Sequence, residues 1–163
     1  MVEFLDYVKS YLEDKFSQDT DFTSSKRPKV YDAYQVAHEP SKIKGCEIQV
    51  RVLDNYEFQT ATSFEQKNVN SVPLQFTVYA PQMSIKSQVV SGQEASLIIA
   101  QKIEKYIYDL IYAEKGSSNY NRNILGGRLM SSSPALPMND SGSLYMTAVR
   151  FDFKISYPYV VEG

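Results

Sequence analysis

The chain has 163 residues, 43% hydrophobic and 22% charged, with 17 basic against 19 acidic side chains and a net charge of -2. That size and balance suit one globular domain with its own core, residues 1–163, and exclude a wholly disordered chain, a collagen or a coiled coil. A dedicated nucleic-acid binder carries a surplus of Lys and Arg to neutralise phosphates, and this chain has none.

Residues 2–16 predict a helix, because Leu5, Val8, Leu12 and Phe16 recur at three- and four-residue spacing while Glu3, Asp6, Lys9 and Glu13 take the other side. Residues 17–29 are polar, with Ser24, Ser25 and Pro28, and read as a loop. A strand over about 30–37 follows, ended by Pro40 and Gly45. Residues 46–53 alternate strictly: Cys46, Ile48, Val50 and Val52 face a core, and Glu47, Gln49 and Arg51 face water. From 54 to 72 the chain is rich in Asn, Gln, Ser and Thr but carries Tyr56, Phe58 and Phe64. It reads as a strand end, an excursion and the start of another strand. Leu74, Phe76, Val78 and Ala80 then alternate with polar neighbours up to Pro81.

The second helix is the best-signalled element. Ser91 and Glu94 form a capping-box pattern, and behind it Ala95, Ile99, Ile103, Ile107 and Ile111 repeat every four residues, reinforced by Ala100 and Leu110. Gly116 is the expected stop, for a helix of fifteen to twenty-three residues. Residues 117–127 read as an exposed polar segment, 128–133 as a short strand and 134–142 as a turn-rich stretch. A long last strand over 145–157 puts Tyr145, Thr147, Val149, Phe151, Phe153, Ile155 and Tyr157 on one face and ends at Pro158. The fold class predicted is α+β: a mainly antiparallel, mixed sheet with two main helices on one face and the other face partly open.

Little in the chain points to chemistry. One cysteine, Cys46, rules out an internal disulfide and a Cys-cluster zinc site; it shares an apolar strand face, where a thiol is inert. One histidine, His38, rules out multi-His metal sites and reads as a strand-end residue. Asp19 and Asp21 form a D-x-D pair with no third ligand or phosphate loop beside it. Gly126-Gly127 lacks the context of a phosphate cradle. Tyr106, Tyr108 and Tyr112 read as the edge of a solvated helix face. No catalytic residue, cofactor or metal is expected. The amino terminus lacks a secretory pattern, and the longest aliphatic run, residues 97–100, is too short for a membrane span, so a cytoplasmically assembled product is expected. The chain has 13 Tyr, 8 Phe and no Trp. Tyrosines in that number suit either protein interfaces or half-buried strand positions.

The element order carries a resemblance: an amphipathic amino-terminal helix, an extended region, the strand Leu74-Gln75-Phe76-Thr77-Val78-Tyr79, a long helix over 94–114, a loop, and a closing pair made of residues 128–138, Asp140-Ser141-Gly142 and a strand over 144–157. In this order, and in size and composition, the chain resembles the tail terminator, or tail completion, proteins of tailed bacteriophages. The resemblance implies a small structural virion protein, not an enzyme, forming a ring, typically of six copies, on the last ring of the tail tube. That ring stops tube growth and joins the tail to the head connector protein. Its implied partners are copies of itself, the tail tube protein and the connector; DNA only passes through the lumen, and no membrane is involved. No catalytic or cofactor residue carries over.

A ring closes by heterologous contacts and needs two different end surfaces. Apolar groups in loops are the positions proposed for these: Phe58 and Phe64 in the middle excursion, Tyr120, Ile124 and Leu125 after the long helix, Leu136 and Met138 before the last strand. The same residues could instead fold back on their own domain. A head-tail adaptor or head-completion protein would show the same features. A small-ligand or enzymatic α+β domain would use the open sheet face around Tyr34, His38 and Arg150. A single-strand nucleic-acid binder stacking bases on Tyr and Phe would lack balancing cations.

Overall fold

The computed structural model describes residues 2–33, 43–53, 57–60, 68–139 and 141–157, with the backbone alone at 2, 57–60, 68–70 and 157. Helix α1 (Val2–Gln18) buries Phe4, Leu5, Val8, Leu12 and Phe16, the residues its spacing places on one face. It lies against strands β1 (Lys29–Asp32) and β2 (Glu47–Val52). Helix α2 (Gly92–Ile111) is capped by Ser91, whose hydroxyl oxygen accepts the Glu94 amide at 3.2 Å. Its stripe of Ala95, Ile99, Ala100, Ile103, Ile107 and Leu110 is buried; each large side chain there is worth roughly 1.5–3 kcal/mol relative to exposure. The helix ends at Tyr112, and Gly116, at φ +95°, serves the turn beyond it.

The sheet is built on two long strands, β4 (Asn68–Ala80) and β9 (Tyr145–Tyr157), paired antiparallel along their full length. Beyond β4 lie β2 and β3 (Glu57–Thr60), end to end and both antiparallel to it. Beyond β9 lie β7 (Ile124–Ser132) and β8 (Leu136–Pro137), arranged likewise. β1 adds to β2 in parallel, making the sheet mixed. Cross-strand rows such as Val30, Ile48, Val78 and Thr147, or Val52, Leu74, Phe151 and Leu129, line the face that the helices cover. α2 lies over β4, β9 and β7, and α1 covers the β1 and β2 side. The fold is therefore α+β, with a mostly antiparallel mixed sheet. Two contacts close the layers: Phe4 meets Phe153 edge-on at 5.3 Å, and Thr147 donates to Ser96 Oγ at 2.9 Å, whose hydroxyl donates to the Gln93 carbonyl at 2.9 Å.

Several elements differ from the expected order. β4 begins at Asn68 and runs through Pro73 in mid-sheet, where proline is normally excluded. The Pro73 carbonyl accepts the Leu53 amide at 2.9 Å, so its nitrogen faces the same side, toward the interval between β2 and β3 where the ladder is interrupted. A small hairpin of β5 (Met83–Ile85) and β6 (Gln88–Val90) went unanticipated, because its tight turn uses Lys86 and Ser87 at φ +54° and +62° in place of the usual Asn and Gly. β1 ends at Asp32, and the rest of the strand expected over 30–37, from 34 on, lies outside the described residues. Gly127 takes a role in packing: a Cβ there would sit 2.8 Å from Ile111 Cδ1 and 3.0 Å from the Asp152 carbonyl, so a larger residue would require Ile111 to shift.

Candidate functional site

The D-x-D pair is a clasp between layers. Lys102 Nζ, from α2, lies 2.8 Å from Asp19 Oδ2 and 2.7 Å from Asp21 Oδ2, and the Tyr106 hydroxyl donates to Asp19 Oδ2 at 2.6 Å. Burial works to raise the Asp19 carboxyl, but hydrogen bonds from Lys102 and Tyr106 outweigh it and hold the group below the usual carboxylate range. Burial likewise works against the Lys102 charge, yet both aspartates raise its ammonium above the ordinary lysine value. A cation already sits between the two carboxylates. Tyr106 departs from the expected solvated face: it meets Phe16 edge-on at 5.3 Å, its carbonyl accepts the Tyr11 hydroxyl at 2.6 Å, and burial beside Asp19 pushes its own hydroxyl far up. Tyr112, by contrast, is exposed and stacks on Tyr108 at 5.9 Å.

Cys46 is buried, and burial together with Glu47 drives its thiol far above the range in which a thiolate forms. On the open sheet face, Arg150 Nε donates to Gln75 Oε1 at 2.9 Å, and Gln75 Nε2 donates to Thr77 Oγ1 at 2.9 Å. Ser71 donates to Asp152 at 2.7 Å and accepts from Lys154 at 2.8 Å. Arg150 is thus held in a cross-strand polar network. Tyr34 and His38, the other members of the ligand pocket considered above, lie outside the described residues. Among the described residues no three His, Cys, Asp or Glu are gathered as a metal site requires, and no helix is long and apolar enough to cross a membrane.

Of the residues proposed for assembly, Leu125 and Leu136 lie on the outermost strands β7 and β8, and Phe58 lies on β3, on the other side of β4. The β3 to β4 hairpin closes where Thr60 pairs with Asn68, and the β8 to β9 hairpin closes where Pro137 pairs with Tyr145. Because Asn68 and Ala80 are opposite ends of β4, and Ala80 pairs with Tyr145, the two closures lie at opposite ends of the sheet. Phe58 pairs with Asn70 through the backbone, and Phe64 lies outside the described residues. Tyr120 is exposed, Met138 is half-buried, and its amide donates to the Leu144 carbonyl at 2.8 Å. Leu125 and Leu136 are 53% and 46% exposed.

Ile124 requires a correction. It is 9% exposed and belongs to the core, so it is no surface residue of the subunit. β7 already begins at Ile124 and pairs it with the buried Ile155, and a register shift between Ile124 and Gly126 makes Leu125 the extra residue of a β-bulge. A second shift between Leu129 and Ser131 does the same for Met130: Leu129 packs on the core and Met130 is 51% exposed. Met130 was missed in the sequence. Its signal is the doublet: adjacent apolar residues in a strand, Ile124-Leu125 and Leu129-Met130, point to opposite faces unless a bulge intervenes, and either way one member is left outside. Leu125, Met130 and Leu136 therefore make an apolar series on the outermost strands β7 and β8, beyond which no described strand pairs. No protein-family model matches the chain, and no curated protein is similar enough to it to count as a relative.

Proposed function

We propose that this chain is a structural virion subunit that closes into a ring at the head-proximal end of a phage tail tube, ends tube growth and offers a docking surface to the head connector. The observation that carries the assembly role is the exposed apolar series Leu125, Met130 and Leu136 on a sheet edge that no described strand pairs, a feature that a single soluble subunit ordinarily protects. Supporting it, the hairpin closures lie at opposite ends of the sheet, matching the two unlike end surfaces of a ring between tube and connector. The tail location itself rests on the resemblance in element order, size and composition. A net charge of -2 also leaves DNA free to pass a lumen without being held.

The test is mass and symmetry of the purified protein, by light scattering and negative-stain electron microscopy, alone and after mixing with assembled tail tubes. Rings, or caps on one end of each tube, are expected. Monomers that ignore tube ends refute the proposal. Capture by connector protein with no binding to tube protein assigns the chain to the head side instead, as an adaptor.

A further inference from the structure

A cavity of about 480 Å³ opens where β1 and β2 begin, walled by residues 25–27, 29 and 31, residues 44–47 and the turn at 81–83 after β4. That volume is typical of small-ligand sites. Its walls carry Lys26, Arg27, Lys29 and Lys44 against one carboxylate, Glu47, with Tyr31 beside them. Among the described lining residues this is an excess of three positive charges, in a chain whose net charge is -2. The cations come from separate stretches and are gathered by the topology: β1 runs parallel to β2 with Lys29 opposite Glu47, and the Lys29 amide donates to the Cys46 carbonyl at 3.1 Å.

Among the described residues, none of the four cationic side chains has an ion-pair or hydrogen-bond partner, whereas Lys9, Lys102 and Lys154 each find a carboxylate. Arg27 Nε is moreover buried without an acceptor, an uncommon state for a buried donor. The adjoining cavity, of about 350 Å³, shares Arg27 and Lys29, but there Lys9 is already paired with Glu13 at 3.3 Å. An anion seated in this concavity would meet several of these cations at once, and a guanidinium with several ammonium groups is suited to phosphate oxygens.

We infer that this cavity binds a compact anion of the polyphosphate type, such as a diphosphate group. The cavity opens at the same end of the sheet as the β8 to β9 closure, but no described residue of β7 or β8 lines it, and the inference does not depend on the assembly role. A nucleic-acid backbone fits it less well, because its phosphates are spaced along a track while these cations surround a single pocket.

The test is calorimetric titration with sodium pyrophosphate at constant ionic strength. Saturable binding of one pyrophosphate per chain is expected, with orthophosphate weaker. Lys26 and Lys44 are exposed, so the double variant Lys26→Ala, Lys44→Ala should keep the wild-type unfolding midpoint while binding weakens by about tenfold or more. Lys44→Ala alone should show a smaller loss in the same direction. Lys115→Ala, an exposed lysine outside the cavity, should bind as wild type. No saturable heat, or an equal loss in Lys115→Ala, overturns the site. So does a short DNA duplex that binds more tightly than pyrophosphate and is lost with the same lysines, since the surface would then belong to a nucleic-acid backbone.

Discussion

Replacing Lys102 by Met keeps an unbranched side chain of similar length and removes the charge from the clasp between α2 and the loop after α1. Two charge-assisted hydrogen bonds disappear, at 2.8 Å to Asp19 and 2.7 Å to Asp21, each worth about 1.5–3 kcal/mol. Solvent reduces the sum, because the Lys102 and Asp21 side chains are 20% and 22% exposed. The Tyr106 hydroxyl still donates to Asp19, so one carboxylate is not wholly abandoned. About 2–3 kcal/mol of destabilisation should remain at pH 7, read by urea unfolding with unchanged slope.

The pH dependence gives the sharper test. The folded-state pKa of Asp19 is lowered, so its stabilisation is complete above the unfolded carboxylate value and is lost as acid protonates it below about pH 4. That of Lys102 is raised, so its share is complete below the ordinary lysine value and fades only in strong alkali. The gap between wild type and Lys102→Met should therefore narrow to under about 1 kcal/mol near pH 2.5. A gap below about 0.5 kcal/mol at pH 7, or one that does not change between the two pH values, would refute the clasp as a stabilising element.

Ile103→Asp places an unpaired carboxylate in the fully buried stripe of α2 and should cost more than about 4 kcal/mol, seen as loss of the cooperative thermal transition. Gly127→Ala should destabilise by about 1–3 kcal/mol through its contact with Ile111 Cδ1, and Ile111→Val, which removes that methyl, should restore part of the loss in the double variant's unfolding midpoint. Leu125→Ser with Met130→Ser should leave the unfolding free energy within about 0.5 kcal/mol, since both side chains are more than half exposed, and should abolish self-association in sedimentation velocity. Intact oligomers in that double variant would remove β7 from the interface.

The candidate sites were legible to different degrees. Exposure of Tyr120, Leu125 and Leu136 followed from apolar groups lying in polar or turn-rich surroundings. Ile124 was assigned to the surface because residues 117–127 read as an exposed polar segment, whereas β7 already begins at Ile124 and pairs it with the buried Ile155; Met130 was missed, and alternation alone does not locate the bulge in which it is the extra residue. Asp19 and Asp21 have the spacing of a ligand pair, and only the fold brings Lys102, eighty-odd residues away, between them. The basic cavity had no sequence signal, since its four cations occupy two stretches separated by a long connection.

Local periodicity determined both helices, the alternating β2 and the central and final strands, because each repeats its apolar residues at the spacing of its own backbone over many residues. The α+β class followed from the order of those elements and their half-polar strand faces. Only the tertiary structure decided the parallel seat of β1, the tolerance of Pro73 in mid-sheet, the two bulges of β7, the layer clasp around Lys102 and the gathering of charge beside β1. Each of these depends on which strand lies beside which and in what register, and that is set by burial summed over the whole domain and not by any single segment.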